Sequence, residues 1–111
     1  MNREQAVMAV LSVMANPSGI RNGGRWATGD VAALARLRGH KVSTASVLTA
    51  LRREERAGNV VCLGARQIDG GWHGHNITRN RELMWRLADE YAEAHGNSWC
   101  RAALAKAEAN V

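Results

Sequence analysis

Apolar residues recur at helical spacing near the beginning of the chain. The spacing i, i+3, i+4, i+7 marks one buried face, and its members are Val7, Val10, Leu11 and Met14. We therefore predict a helix over residues 3–15. It should end at Asn16-Pro17, because a residue that precedes proline avoids the helical conformation.

A second helix pattern begins near Thr28, which can serve as its N-cap. Asp30 places a negative charge in the first turn, beside the positive end of the helix dipole. We expect the helix to extend to about Leu37, with one apolar face formed by Val31, Leu34 and Leu37.

A short polar turn separates the second helix from a third. Gly39 can adopt the left-handed conformation that ends a helix at little cost. Either Ser43 or Thr44 can cap the next helix, which should extend to Ala57 and end at Gly58-Asn59.

The third helix has two contrasting sides when its residues are placed about 100° apart. One side is apolar and should pack on the core; it carries Val47, Ala50 and Leu51. The opposite side is polar and mostly basic, and it carries Ala45, Thr49, Arg52, Arg53 and Arg56. This second side is free to contact a partner.

The third helix is followed by the clearest strand pattern in the chain, over residues 59–63, where β-branched residues are concentrated. Residues 64–79 are rich in glycine and lack a helical period, so we expect a turn or an extended loop there. Near the end of the chain, Asn97-Ser98 can cap a last, alanine-rich helix from Trp99 to about Ala109.

Residues 81–95 admit two interpretations. A helix is slightly favoured, because Leu83, Leu87 and Tyr91 are spaced four residues apart and the acidic residues fall on another face. In the alternative, Leu83 to Leu87 is the returning strand of a hairpin, and the helix starts near Ala88.

The amino-acid composition indicates the charge of a possible partner and the compartment in which the protein is expected. The 111 residues suffice for one modest core, and their net charge is +5. Residues 1–79 hold eleven basic and five acidic side chains, so an acidic partner is expected on that part. The chain shows neither a signal-peptide pattern nor an apolar run of about 18 residues. With Cys62 and Cys100 far apart, we expect a cytoplasmic protein with reduced thiols.

Three segments carry a resemblance to a known family. Residues 26–32 (WATGDVA) lead the second helix, residues 42–47 (VSTASV) open the third, and residues 50–60 (ALRREERAGNV) end at a Gly-x-Val step into a strand. Residues 3–63 thereby resemble a winged helix-turn-helix domain of bacterial and phage transcriptional regulators.

The resemblance implies a mainly α chain with a small β-hairpin (α+β), that is, a winged helix-turn-helix with a C-terminal helical extension. Residues 1–79 would form the domain with its glycine-rich wing, and residues 80–111 the extension. The implied function is sequence-specific binding of double-stranded DNA by a small regulator, with helix 43–57 in the major groove.

Two positions depart from the family pattern. Glu54 occupies a position where leucine is usual, so it either meets an arginine at the edge of the core or the helix is turned. Met84-Trp85-Arg86-Leu87-Ala88 is similar to the end of the returning wing strand, but it comes some twenty residues late.

The resemblance places DNA contacts on the third helix and the turn before it. Lys41, Ser43 and Thr44 would hold phosphates, and Ala45, Ser46, Thr49 and Arg52 would face base edges. Four further arginines complete the expected contact set: Arg38, Arg53, Arg56 and Arg66. The simpler interpretation of the arginine face is a solvated surface on which Arg52 pairs with Glu55, three residues on.

Other functional classes receive less support. His73 and His75 alternate along the glycine-rich segment, but without a cysteine or carboxylate cluster we predict no metal, and His40 and His95 have no sequence reason to join them. The chain lacks a phosphate loop, paired carboxylates and a nucleophile–base pair, so we predict neither enzyme activity nor a cofactor.

The expected partner is double-stranded DNA, with no small-molecule ligand and no membrane. A protein–protein interaction module on the same scaffold is the alternative function, and RNA binding is a third. The C-terminal helix could pair with its copy in a homodimer or fold back onto the first helix.

Overall fold

The computed structural model describes residues 3–17, 19, 23–68 and 80–109. Within these ranges the chain forms five helices and one three-stranded antiparallel sheet, which confirms the mainly helical α+β class. In chain order the elements are α1 (Arg3–Met14), β1 (Trp26–Ala27), α2 (Thr28–Leu37), α3 (Thr44–Arg56), β2 (Val60–Ile68), β3 (Asn80–Leu87), α4 (Asp89–Ala94) and α5 (Trp99–Ala109). None of these five helices combines the length and apolar character that a bilayer-spanning segment needs.

The predicted helix at the beginning of the chain is confirmed as α1, but its buried face is turned slightly from the expected one. Val7 and Leu11 are only half-buried. The fully buried positions are Ala6, Ala9, Val10, Val13 and Met14. This face, which combines small alanines with Val10, Val13 and Met14, packs on α3 and α2.

The extent of α2 is confirmed, whereas two details of its prediction are wrong. Ala27 is the N-cap and supplies no side-chain hydrogen bond. Thr28 is instead the first helical residue, and its buried hydroxyl donates to the Leu83 carbonyl oxygen at 3.2 Å. Leu37 is 83% exposed rather than buried, because the helix ends there and the chain turns away at Gly39, where φ is 89°.

The sheet has β3 at its centre, between β1 and β2. Trp85 of β3 lies opposite Trp26 of β1 and Cys62 of β2, and Leu87 lies opposite Val60. Trp85 and Leu87 are almost completely buried, so this strand supplies the largest side chains on the sheet side of the core.

The slightly favoured helix over 81–95 is wrong, and the alternative is confirmed. β3 extends to Leu87, and the helix that follows begins at Asp89. The four-residue spacing of Leu83 and Leu87 suits a strand as well as a helix, because four is also a multiple of the strand period of two. Trp85, midway between them, lies on the same face of the strand and is buried there.

An ion-pair chain joins the end of β3 to α4 and α5. The buried guanidinium of Arg86 donates from Nη2 to Asp89 Oδ1 at 2.7 Å. Arg101 lies 3.5 Å from the other Asp89 oxygen and 3.1 Å from Glu93. The hydrogen bond from Arg86 lowers the pKa of Asp89. The ionised Asp89 therefore stabilises the folded chain fully at pH values above its pKa in the unfolded chain. This stabilisation is lost as pH falls through the lowered pKa of Asp89 in the folded chain.

Helix α5 packs on its own chain through Cys100 and Ala103, which are buried. Burial raises the pKa of the Cys100 thiol, so the group stays protonated and unreactive at neutral pH. Cys62 is also a free thiol, as predicted.

Candidate nucleic-acid interface

Helix α3 begins with a reciprocal capping box. The Ser46 backbone N–H donates to Ser43 Oγ at 3.0 Å, and the Ser43 N–H donates to Ser46 Oγ at 3.1 Å. The N-cap is therefore Ser43 rather than Thr44. Because their hydroxyls hold each other and the backbone, Ser43 and Ser46 serve first to set the position of the helix.

Ser43→Ala should lower the free energy of unfolding by about 1 kcal/mol, since the capping hydrogen bond is lost. Thr44→Ala is the matched control: Thr44 is exposed, and within the described part of the chain it makes no side-chain hydrogen bond. Urea unfolding of both variants measures the difference, and equal losses would show that the cap contributes nothing.

The predicted division of α3 into two sides is confirmed, with one addition. Val47, Ala50 and Leu51 are buried as expected, and Glu54 joins them at 8% exposure. The opposite side is exposed at every expected position, namely Ala45, Thr49, Arg52, Arg53 and Arg56. Since α3 packs mainly on α1, α2 and β2, the C-terminal helices leave this side uncovered.

Glu54 meets an asparagine, and not the arginine that one of the two sequence-based alternatives gave it. Its Oε1 accepts a hydrogen bond from Asn59 Nδ2 at 3.1 Å, and its carbonyl oxygen accepts one from the Asn59 backbone N–H at 2.9 Å. The carboxylate also lies close enough to Tyr91 to raise its pKa, in addition to the larger effect of burial. Glu54 thus holds the connection from α3 to β2 in place.

Arg52 lies on the side of α3 that is nearer the sheet, and it contacts Glu55 and Trp85. Its Nη1 lies 3.3 Å from Glu55 Oε1, and its guanidinium carbon lies 5.4 Å from the centre of the Trp85 ring. The side chain is nonetheless 46% exposed. The Arg52–Glu55 ion pair that the sequence indicated is therefore present, and Arg52 also lies against Trp85 of β3.

Trp85 connects this region to α2. Its Nε1 donates to Thr28 Oγ1 at 2.9 Å, and that hydroxyl in turn donates to the Leu83 carbonyl oxygen. The indole is fully buried, so its N–H cannot bond to water and depends on the Thr28 hydroxyl as its hydrogen-bond acceptor. The pair fixes the central strand against the start of α2.

The side of α3 that carries Thr49, Arg53 and Arg56 borders a groove shared with α1, which we call the α1–α3 groove. Its volume is about 640 Å³. Its lining consists of Arg3, Ala6, Val7, Ser46, Thr49, Ala50, Arg53, Arg56 and Ala57. Four expected contact residues therefore share one surface: Ser46, Thr49, Arg53 and Arg56.

Sequence reasoning did not identify Arg3 as part of this surface. The helix pattern placed Arg3 at the start of α1, but only the packing of α1 on α3 brings it beside Arg53 and Arg56. Within the described ranges these three arginines form no ion pair or hydrogen bond with other side chains. Their charges are available to an anionic partner.

The remaining expected contacts lie around the turn before α3 and on β2. Arg38 Nη1 donates to Ser12 Oγ at 3.2 Å, so this side chain is held along α1. Lys41, Thr44 and Ala45 are exposed. The backbone of Arg66 pairs with Glu82 across the hairpin, while its side chain lies outside the described atoms.

The histidine pair of the glycine-rich segment, His73 and His75, lies outside the described residues. Among the residues that are described, no three histidine, cysteine or carboxylate side chains come together as metal ligands would. Comparison with protein-family models, curated proteins and solved structures gives no match for this chain. The exposed surface of α3 is the feature of the described chain that points most directly to a function.

Proposed function

We propose that the protein is a winged helix-turn-helix regulator that binds double-stranded DNA in the cytoplasm. The element order supports this proposal: α2 and α3 would form the helix-turn-helix, and β2 with β3 would form the wing. The decisive observation is the exposed side of α3, on which Arg53 and Arg56 have no partner among the described residues.

The geometry suggests a division of roles along α3. Ala45 and Thr49 on its outward side would contact base edges, where a small side chain can accept a thymine methyl group. Arg53 and Arg56 would bind phosphates or guanine, because a guanidinium forms paired hydrogen bonds with either. Exposed Lys41, in the turn before α3, would add a phosphate contact.

Arg52 has a different role in this proposal. Its contacts with Glu55 and Trp85 hold it between α3 and the central strand. It would therefore orient the recognition helix relative to the wing and present its exposed edge to the DNA. Ser43 and Ser46 would act similarly through the capping box, which fixes the first turn.

Dimerisation through α5 is also a proposal. Cys100 and Ala103 face the core of the same chain, but Arg101, Ala102 and Ala105 are exposed on the opposite side. A dimer would place two copies of α3 on DNA and favour a palindromic site. A solution mass measurement, made with and without DNA, distinguishes one copy from two.

Fluorescence anisotropy with a labelled duplex tests the main proposal. We expect binding at low salt, and the logarithm of the affinity should fall linearly with the logarithm of salt concentration, because phosphate contacts release counterions. Structured RNA should compete poorly. Absence of duplex binding at low salt would overturn the proposal and leave a protein-interaction module as the function of the scaffold.

A further inference from the structure

The α1–α3 groove joins the outward side of α3 without interruption. Thr49, Arg53 and Arg56 line the groove, and all three are exposed. A DNA backbone that borders α3 on this side therefore reaches α1 as well. This geometry extends the contact surface beyond the helix-turn-helix itself.

Charge on the walls of the groove favours a phosphate occupant. Arg53 and Arg56 stand on the α3 wall, and Arg3 stands on the α1 wall. Within the described part of the chain no carboxylate pairs with any of the three. Three guanidinium groups around one concave surface match the repeated charges of a sugar–phosphate backbone, each able to bind a phosphate through two hydrogen bonds.

The floor of the groove leaves room for such a chain. Besides the arginines, the groove lining includes the short apolar side chains of Ala6, Val7, Ala50 and Ala57, which we call its floor. Because these side chains are short, they leave space between the arginines in which a sugar–phosphate backbone can lie between the two helices. The apolar part of the floor would face the deoxyribose units, which carry few polar atoms.

We infer that the α1–α3 groove holds one sugar–phosphate strand of duplex DNA and that Arg3 of α1 is a phosphate contact. This inference rests on the proposed function, since it concerns the same DNA complex. It adds a contact from outside the helix-turn-helix, so the protein binds the backbone from two helices rather than from α3 alone.

Arg3→Ala tests the inference in a salt titration with the same labelled duplex. Loss of one phosphate contact should reduce the salt slope by about 0.9, so the affinity ratio of wild type to variant falls about eightfold over a tenfold rise in salt. The loss should be similar on unrelated duplex sequences, because phosphates carry no base identity. Arg3→Lys should restore most of the slope.

Lys106→Ala is the matched control, because it removes one positive charge from an exposed position on α5. It should leave the salt slope unchanged. If Arg3→Ala behaves like Lys106→Ala while the wild type binds duplex, the inference is wrong and the proposed function stands. If the wild type does not bind duplex, both are wrong. Thermal unfolding checks that each variant remains folded.

Discussion

Replacement of Arg53 and Arg56 by alanine together is expected to lower duplex affinity about 100-fold at low salt. Each charged hydrogen bond to a phosphate or guanine contributes about 1.5 kcal/mol, and about 3 kcal/mol corresponds to roughly a factor of 100. If both contact phosphates, the salt slope should also fall by about 1.8. Anisotropy titrations at several salt concentrations measure both quantities.

This double variant separates a DNA-binding surface from a solvated helix face. Both side chains are exposed and neither pairs with another described side chain, so the fold should be retained. Thermal unfolding close to that of the wild type is the first control, and Lys106→Ala is the second. Wild-type affinity in the folded double variant would show that DNA does not bind this side of α3.

Trp85→Ala is expected to lower the free energy of unfolding by about 3–5 kcal/mol, the range for truncation of a large buried aromatic side chain. The indole is fully buried on the central strand, and its Nε1 has Thr28 Oγ1 as hydrogen-bond acceptor. Because small domains have only about 5–15 kcal/mol in total, the variant should be close to unfolding. Urea unfolding provides the measurement.

Thr28→Val tests the hydrogen bond separately from the packing. It retains the shape of the side chain but leaves the Trp85 N–H without its acceptor, at an expected cost of about 1–3 kcal/mol. Trp85→Phe removes the donor, so the double variant should lose less than the sum of the two single variants. Strictly additive losses would show that the pair is not coupled.

Local chemistry made several elements predictable from sequence. Gly39 and Gly58 both adopt positive φ, where glycine avoids the strain of a Cβ, and they end α2 and α3 where expected. The capping chemistry at Ser43 depends only on residues within one turn. The same holds for the two sides of α3, since a regular helix places its residues without reference to the rest of the chain.

Long-range contacts decided the features that sequence predicted wrongly or left open. Residues 81–87 fit either period. Pairing with β2, and with β1 at Met84 and Trp85, selects the strand, whose Trp85 and Leu87 side chains are then buried in the core. Exposure of Leu37 likewise reflects the absence of any described element over the end of α2, which no local pattern encodes.

The arginines around α3 were in part predictable from sequence and in part placed only by the tertiary structure. The sequence by itself determined that Arg53 and Arg56 lie on the free side of a capped helix, because helical spacing and capping are local properties. Only the tertiary structure decided that Arg3 stands across a groove from them and that Arg52 is held against Trp85. Those contacts join residues far apart in the chain, and they exist only because the packing of α1 and β3 around α3 brings these side chains together.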